Sequence, residues 1–304
     1  MKGLYSALKK AGREPLAGVL HPESAEPVVF LDPDRTESVP PPQGACQIEP
    51  NLPAVRVELT PGEPITKVRT QQVVIPAGSP LLPFKFTGRD LRVGEEYRII
   101  RTKLVQHPAQ PRLMVISSGC SGDGKTLNAI NLAGALALKT DRKVLLVDGD
   151  LRRAGVTRAL GIRESFGLVE VLSNICRLED AIVRLGCSPS FYLLPAGRPC
   201  SNPAELLESN RWRILCAELR EQFRFTIVDA PPIAAVADYD LLQAYCDGVI
   251  LIMRVDYSNR AICRAVLQAV PREKVLGVII NCPDDWFMRK SMNYGYYVGE
   301  GRTP

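Results

Sequence analysis

Apolar and polar positions alternate in two different ways along this chain of 304 residues, and the change comes near residue 85. Beyond it, short apolar runs alternate with segments whose apolar residues recur every three or four positions, as in "TLNAINLAGALAL" and "NRAICRAVLQAV". The short apolar runs are typical of parallel strands buried on both faces, and the recurrence every three or four positions is typical of helices. The predicted strands are "RLMVIS", "KVLLVD", "FYLLP", "FTIVD", "GVILIM" and "VLGVII".

Strand and helix in alternation predict an α/β domain with a doubly wound, mostly parallel sheet and with ligands at the carboxyl ends of the strands. The segment before it is different, because residues 1–85 hold fourteen of the 25 prolines. That composition predicts a Pro-rich, disordered N-terminal arm. We therefore expect three parts: the arm at 1–85, the α/β domain at 86–284 and a flexible tail at 285–304.

Charge and cysteine content narrow the possible functions and locations. The formal charge of +5 is spread over sequence of mixed sign, which gives little support for nucleic acid as a partner. Nine cysteines, an odd number without a C-x-x-C pair, indicate reduced thiols in the cytoplasm. We find neither a signal peptide nor an apolar run near the roughly 18 residues that a membrane span needs. The sequence predicts a cytoplasmic chain that does not cross a membrane by itself.

A phosphate-binding motif follows the first predicted strand and opens a predicted helix. In "SGCSGDGKT" the glycines allow backbone N–H groups to surround phosphate oxygens, Lys125 can reach the β- and γ-phosphates, and Thr126 can ligate Mg²⁺. This context predicts a P-loop nucleotide site. Its expected residues are Gly119, Ser121, Gly122, Asp123, Gly124, Lys125, Thr126 and Leu127.

Three aspartates end two other predicted strands. Asp148 and Asp150 follow "KVLLV", and Asp229 follows "FTIV". A single aspartate at this position is usually a turn former, but three lie at the edge of the sheet that carries the phosphate loop. The sequence therefore predicts an Mg²⁺ and proton-transfer site there.

The three motifs together resemble those of bacterial tyrosine autokinases, the BY-kinases that accompany capsule and exopolysaccharide export. The resemblance runs from about residue 90 to the end and includes "EEYRIIRTKL", "LPAGRPCSNPAELLES" and "DAPPIAAVADYDLLQAYCDGVILIMR". It implies an ATP- and Mg²⁺-dependent protein-tyrosine autokinase that regulates polymerisation or export of a polysaccharide.

The resemblance also implies roles for the charged residues. Lys125 and Thr126 would bind phosphate and metal, and Asp150 and Asp229 would organise Mg²⁺. Asp148 is the candidate base, which the reaction needs because a phenol with a pKa of about 10 is rarely ionised at neutral pH. The spacing leaves open an exchange of roles between Asp148 and Asp150.

Two further residues have alternative interpretations. Arg152 completes a D-x-D-x-R pattern and would bind phosphate or hold the aspartates, or it is an ordinary surface arginine. Asn281 ends the last predicted strand, where it would contact adenine or simply form a turn.

The resemblance predicts self-assembly and self-modification. Glu95, Arg98 and Arg101 fit an E-x-x-R-x-x-R pattern that would join subunits into a ring, although a solvated helix face would have the same spacing. The tail "NYGYYVGEGRTP" would supply the phosphoacceptors to a neighbouring subunit. They are Tyr294, Tyr296 and Tyr297.

The resemblance also implies protein partners for this chain. A separate transmembrane activator or polysaccharide co-polymerase would hold the chain at the inner face of the cell membrane, and a phosphotyrosine phosphatase is a candidate partner.

A partitioning or positioning ATPase of the same fold is one alternative function. Such switches typically carry a second lysine five residues before Lys125, where this chain has Cys120. A nucleotide-binding scaffold without catalysis is the other alternative, and neither needs the tyrosine tail.

Overall fold

The computed structural model describes residues 68–73, 91–138, 143–163, 166–186, 188–254, 257–258 and 260–281. These residues form one sheet of eight strands flanked by helices. The strands are β1 (Arg69–Gln71), β2 (Leu113–Ser118), β3 (Val144–Asp148), β4 (Val183–Leu185), β5 (Phe191–Leu194), β6 (Phe225–Asp229), β7 (Gly248–Arg254) and β8 (Val275–Asn281).

The strand order is β1-β4-β5-β3-β6-β2-β7-β8, and every pair is parallel except β4 with β5. The strand β2 is therefore an interior strand, between β6 and β7. The α-helices are α1 (Leu91–Val105), α2 (Lys125–Ala137), α3 (Gly155–Ala159), α4 (Leu168–Leu172), α5 (Leu178–Ala181), α6 (Pro203–Glu208), α7 (Asn210–Gln222), α8 (Asp238–Ala244) and α9 (Arg260–Ala269), and a 3₁₀ turn spans Arg272–Lys274.

Apolar residues cover both faces of the central strands. In β2, Leu113 and Val115 pack into one core layer, and Met114 and Ile116 pack into the other. The first layer includes buried residues of α4 to α9, and the second includes those of α1, α2 and α3. This two-sided burial is the reason that the strands read as unbroken apolar runs. The doubly wound α/β fold is confirmed.

The six predicted strands are all present, and two others are not predicted by the sequence. Both β1, "RTQ", and β4, "VRL", have three residues at one end of the sheet. Their backbones pair in register from Arg69 with Val183 to Gln71 with Leu185. The strand β1 lies within the predicted arm at 1–85, and it has no apolar run because backbone pairing at an edge needs none. The extent of the arm stays a prediction. Residues 282–304, including the three tail tyrosines, lie outside the described part.

Candidate active site

The phosphate loop joins β2 to α2 and has the backbone shape that its glycines permit. Gly122 and Gly124 have φ of 93° and 94°, in the left-handed region that side chains disfavour. At Gly124, an added Cβ would lie 2.1 Å from Nδ2 of Asn281. Both glycines are therefore required by their conformation and also by close packing, since an added Cβ at Gly122 would lie 2.7 Å from the Tyr257 hydroxyl.

Hydrogen bonds within the loop and from side chains of other elements hold the loop in place. The Asp123 carboxylate accepts hydrogen bonds from the Cys120 backbone N–H (2.9 Å) and from Oγ of Ser258 (2.7 Å). Asn281 Nδ2 donates to the Asp123 carbonyl (2.9 Å), and Asn128 Nδ2 donates to the Gly124 carbonyl (2.9 Å). The contacts occupy the loop's side chains and carbonyls, so its shape is set before a ligand binds. Asn281 thus lies against the loop, and its contact with adenine stays a prediction.

The aspartates predicted at the strand ends do come together beside this loop. Asp148 and Asp229 are register partners at the ends of β3 and β6, and both are buried. Thr126 Oγ1 donates to Oδ2 of Asp229 at 2.6 Å. Gly155 approaches so closely that an added Cβ would lie 2.9 Å from Thr126 Oγ1 and 3.6 Å from Oδ2 of Asp229. The structure therefore brings the predicted metal residues Thr126 and Asp229 into contact.

These residues fit a metal–nucleotide complex. Oδ1 of Asp148 and Oδ1 of Asp229 are buried and have no hydrogen-bond partner among the described residues. Buried carboxylate oxygens need a partner, and a cation or a ligand proton would supply one. No group of three or more His, Cys, Asp and Glu side chains in the described ranges could hold a metal by itself. Mg²⁺ usually binds one or two carboxylates together with substrate phosphates and water.

Burial makes this cluster unusually basic. It raises the pKa of Asp229 to about 8, and the charges of Asp148 and Asp150 add to the increase, while the Thr126 hydrogen bond and the Lys125 charge oppose it. Burial likewise raises the pKa of Asp148 to about 6, against the hydrogen bonds from Thr157. Without a cation, Asp229 is therefore mostly protonated at neutral pH, while Asp148 is mostly ionised.

We expect the metal-free protein to become less stable as the pH rises from about 4 to about 8. The unfolded aspartates have a pKa of about 3.9, so in this range the folded state binds more protons than the unfolded chain. Each group contributes at most about 1.4 kcal/mol per pH unit, Asp148 up to about pH 6 and Asp229 up to about pH 8. Denaturant titration in the presence of a chelator would measure the free energy of unfolding.

The substitution Asp229→Asn should remove the decline between pH 6 and pH 8. Asp247→Asn is the control: burial raises the pKa of Asp247, but backbone hydrogen bonds from Leu113 and Arg112 lower it overall. That carboxylate is ionised in both states over this range, so its loss should leave the slope unchanged. An equal decline in Asp229→Asn and wild type would contradict the assignment.

Asp148 and Asp150 have different local partners. Oδ2 of Asp148 accepts hydrogen bonds from Thr157, through the backbone N–H (2.8 Å) and Oγ1 (2.6 Å), and Thr157 Oγ1 in turn accepts one from the Ala196 N–H (3.1 Å). Oδ1 of Asp150 accepts a hydrogen bond from the backbone N–H of Arg153 at 3.2 Å. Thr157 thus fixes the orientation of the Asp148 carboxylate through Oδ2, and Oδ1 has no hydrogen-bond partner among the described residues.

Arg152 is turned toward another element. Its Nε and Nη2 donate to the two carboxylate oxygens of the buried Asp238 at 2.8 and 3.0 Å. The bidentate pair joins the loop after β3 to the start of α8. A phosphate contact by Arg152 stays a prediction, and it would compete with this pair.

The residues predicted to join subunits lie on α1 and make contacts within the chain. Arg98 Nη1 pairs with Oε2 of Glu95 at 2.8 Å, with both side chains 40–50% exposed. Arg101 Nη1 donates to the Ala135 carbonyl in the last turn of α2, at 3.3 Å. A ring interface through these three residues stays a prediction.

Sequence reasoning missed two residues of the site, Thr157 and Arg153. Arg153 Nη1 donates to Oγ of Ser121 in the phosphate loop at 2.6 Å. The sequence "DLRRAGVT" offers two adjacent arginines, but it carries no signal of which one faces the loop. Ala154, with φ of 48°, turns the chain between them and Thr157 in a way that composition does not predict.

The chain is similar to several known proteins. A family model described as an AAA domain matches residues 112–270. Tyrosine-protein kinase YwqD of Bacillus subtilis is 34% identical over 207 residues, which cover 67% of this chain and 85% of that protein. The solved kinase domain of VpsO is 32% identical, with a TM-score of 0.57, and the match covers 63% of this chain and 96% of that one. The kinase domain of the Escherichia coli tyrosine kinase ETK is 27% identical, with a TM-score of 0.57 and coverage of 62% and 74%.

Proposed function

Because the chain belongs to the family of bacterial tyrosine-protein kinases, we propose that it transfers the γ-phosphoryl group of ATP to tyrosines of its own C-terminal tail. One observation carries the proposal most directly. Thr126 is hydrogen-bonded to Asp229, next to Asp148, at the end of a preorganised phosphate loop. Phosphoryl transfer depends mainly on positioning and on charge stabilisation, and this arrangement supports both.

The phosphate loop and the first turn of α2 bind the nucleotide. The backbone N–H groups of the loop surround phosphate oxygens, and Lys125 neutralises the β- and γ-phosphates. Thr126, Asp150 and Asp229 would hold Mg²⁺, directly or through water. When bound, Mg²⁺ would supply positive charge that offsets the charge of the nucleotide phosphates.

Transfer itself needs a base for the acceptor tyrosine. The phenol oxygen attacks the γ-phosphorus, the bond to the β–γ bridging oxygen breaks, and ADP leaves with the electron pair. The phenol proton goes to Oδ1 of Asp148, which has no hydrogen-bond partner among the described residues. A pKa of about 6 leaves Asp148 ionised at neutral pH and more basic than an ordinary aspartate.

The cellular role extends this chemistry to an assembly. Subunits form a ring through Glu95, Arg98 and Arg101, and each tail enters the site of a neighbour. The system serves capsule or exopolysaccharide polymerisation or export, with a separate transmembrane activator that holds the kinase at the inner face of the membrane. Among the described residues, no helix is long and apolar enough to span a bilayer.

The partitioning ATPase and the nucleotide-binding scaffold are not favoured. Cys120 occupies the position of the second lysine that partitioning switches carry. The relatives at 30% identity or more carry kinase names, and neither alternative requires transfer to tyrosine. Both alternatives predict nucleotide binding without phosphotyrosine.

The direct test is to incubate the purified protein with Mg²⁺ and ATP and to map phosphotyrosine by mass spectrometry. We expect phosphate on Tyr294, Tyr296 and Tyr297, because a glycine-containing tail can enter an active site at little cost in packing. Tyr257 is the negative control, on which we expect no phosphate. Its side chain is 56% exposed, but its hydroxyl is hydrogen-bonded to the Ser121 carbonyl of the phosphate loop. ATP binding without phosphotyrosine would refute the kinase proposal in favour of the alternatives.

A mixing experiment tests transfer between subunits. Full-length Lys125→Ala protein, which keeps its tyrosines, is combined with an active protein whose three tail tyrosines are changed to phenylalanine. We expect label on the Lys125→Ala partner only. If neither partner is labelled while wild type labels normally, the tail is modified within its own subunit.

A further inference from the structure

We infer that Arg153 is a further phosphate-contacting residue, which binds the terminal phosphate of ATP and stabilises the charge that develops during transfer. The inference rests on the proposed function and adds to it a cation that no motif assigns. Arg153 lies between two parts of the site: its side chain reaches Ser121 of the phosphate loop, and its backbone N–H donates to Asp150.

The two arginines after Asp150 differ in what holds them. Both carboxylate oxygens of the buried Asp238 occupy Arg152. Among the described residues, Arg153 has no carboxylate within ion-pair distance, and its side-chain partner is the neutral hydroxyl of Ser121 at 2.6 Å. One hydroxyl satisfies one of the five N–H donors of a guanidinium, so the group retains the capacity to bind an anion.

The position of Arg153 favours the γ-phosphate over the other phosphates. Under the proposed function, Thr126, Asp229 and Asp150 would hold the metal that accompanies the terminal phosphates. Thr126 is hydrogen-bonded to Asp229, and the backbone N–H of Arg153 donates to Asp150. Phosphate oxygens are strong acceptors whose geometry matches a guanidinium fork. A terminal phosphate therefore replaces Ser121 Oγ as the partner of Arg153.

The charge balance of the loop gives Arg153 a role in transfer. Enzymes of this chemistry place an arginine or a lysine beside the transferring phosphoryl group, in addition to the loop lysine. Cys120 occupies the loop position at which related switches carry a second lysine. Arg153 supplies the missing positive charge from within the chain.

Nucleotide selectivity tests this role without relying on turnover. Calorimetry with Mg²⁺ and either ADP or the β,γ-imido analogue of ATP would give two dissociation constants for each variant. We expect Arg153→Gln to weaken binding of the triphosphate analogue about tenfold and to change ADP binding less than twofold. Arg153→Lys, which keeps the charge but not the fork, should lie between Arg153→Gln and wild type.

Arg158→Gln is the matched control, since Arg158 is an exposed arginine of α3 with no side-chain partner among the described residues. It removes the same charge and should change neither constant. In autophosphorylation assays, Arg153→Gln should lower kcat by about 10²-fold, and Arg158→Gln should leave it unchanged.

Two results would overturn the inference. Equal loss of affinity for ADP and for the triphosphate analogue would give Arg153 a purely structural role, and unchanged affinity for both would leave it outside the site. If Arg153→Gln did not fold, the ratio of the dissociation constants for ADP and the triphosphate analogue would be measured on the charge-conserving Arg153→Lys instead. Absence of phosphotyrosine in wild type would refute the kinase proposal alone, because the ratio of the two affinities would still report on Arg153.

Discussion

Replacing Lys125 with alanine is expected to abolish autophosphorylation, with a loss of 10³-fold or more in rate, by the order of magnitude typical for cations at transferring phosphates. Lys125 begins α2 directly after the phosphate loop, and its charge already acts on the neighbouring Asp229. Both the bound triphosphate and the transition state lose this charge in the mutant. Transfer of label from radioactive ATP to the protein would measure the effect.

The fold should survive this substitution. The side chain of Lys125 is buried, but it belongs to neither of the two hydrophobic core layers. Lys125→Met keeps most of the side-chain volume and is the control for packing. We expect both variants to unfold at temperatures close to that of wild type and to be equally inactive. Normal labelling in either variant would show that the phosphate-loop assignment is wrong.

The elements that carry the site could be predicted from the sequence, because several independent signals coincide there. The apolar runs of β2, β3 and β6 are buried on both faces, and a polar residue ends each run. Parallel neighbours bring those ends to one edge, as the pairing of Asp148 with Asp229 shows. Local pattern and topology therefore led to the same three motifs.

The sequence could not predict features that depend on backbone direction or on edge pairing. Arg152 and Arg153 are identical in type and adjacent, yet one binds Asp238 and the other binds Ser121. The next residue, Ala154, is in the left-handed conformation, which composition does not predict either. The strand β1 has no apolar run, since its contribution to the sheet is backbone pairing.

The second large effect is expected from Asp148→Asn, which removes the proposed base while keeping the shape of the side chain. Positioned bases typically contribute 10²- to 10⁴-fold to rate, so we expect kcat to fall by about 10³-fold. Binding of Mg²⁺ and the imido analogue of ATP should change little. Single-turnover labelling at saturating ATP would measure the rate, and calorimetry would measure binding.

Asp150→Asn is the matched comparison, because the same change two residues away removes a proposed Mg²⁺ residue instead of the base. That variant should need a higher Mg²⁺ concentration for half-maximal labelling and should recover part of its rate when Mg²⁺ is raised. Asp148→Asn should not recover. If the two variants behave in the opposite way, Asp150 is the base and Asp148 organises the metal.

Thr157 provides an independent test of the same base. Its N–H and hydroxyl both bind Oδ2 of Asp148, which leaves Oδ1 as the oxygen for the tyrosine proton. We expect Thr157→Val to lower kcat about tenfold by freeing the carboxylate to rotate, with little change in nucleotide affinity. Thr157→Ser keeps the hydroxyl and should restore most of the rate. If serine and valine reduce kcat equally, the methyl group of Thr157 matters and the hydrogen bond to Asp148 does not.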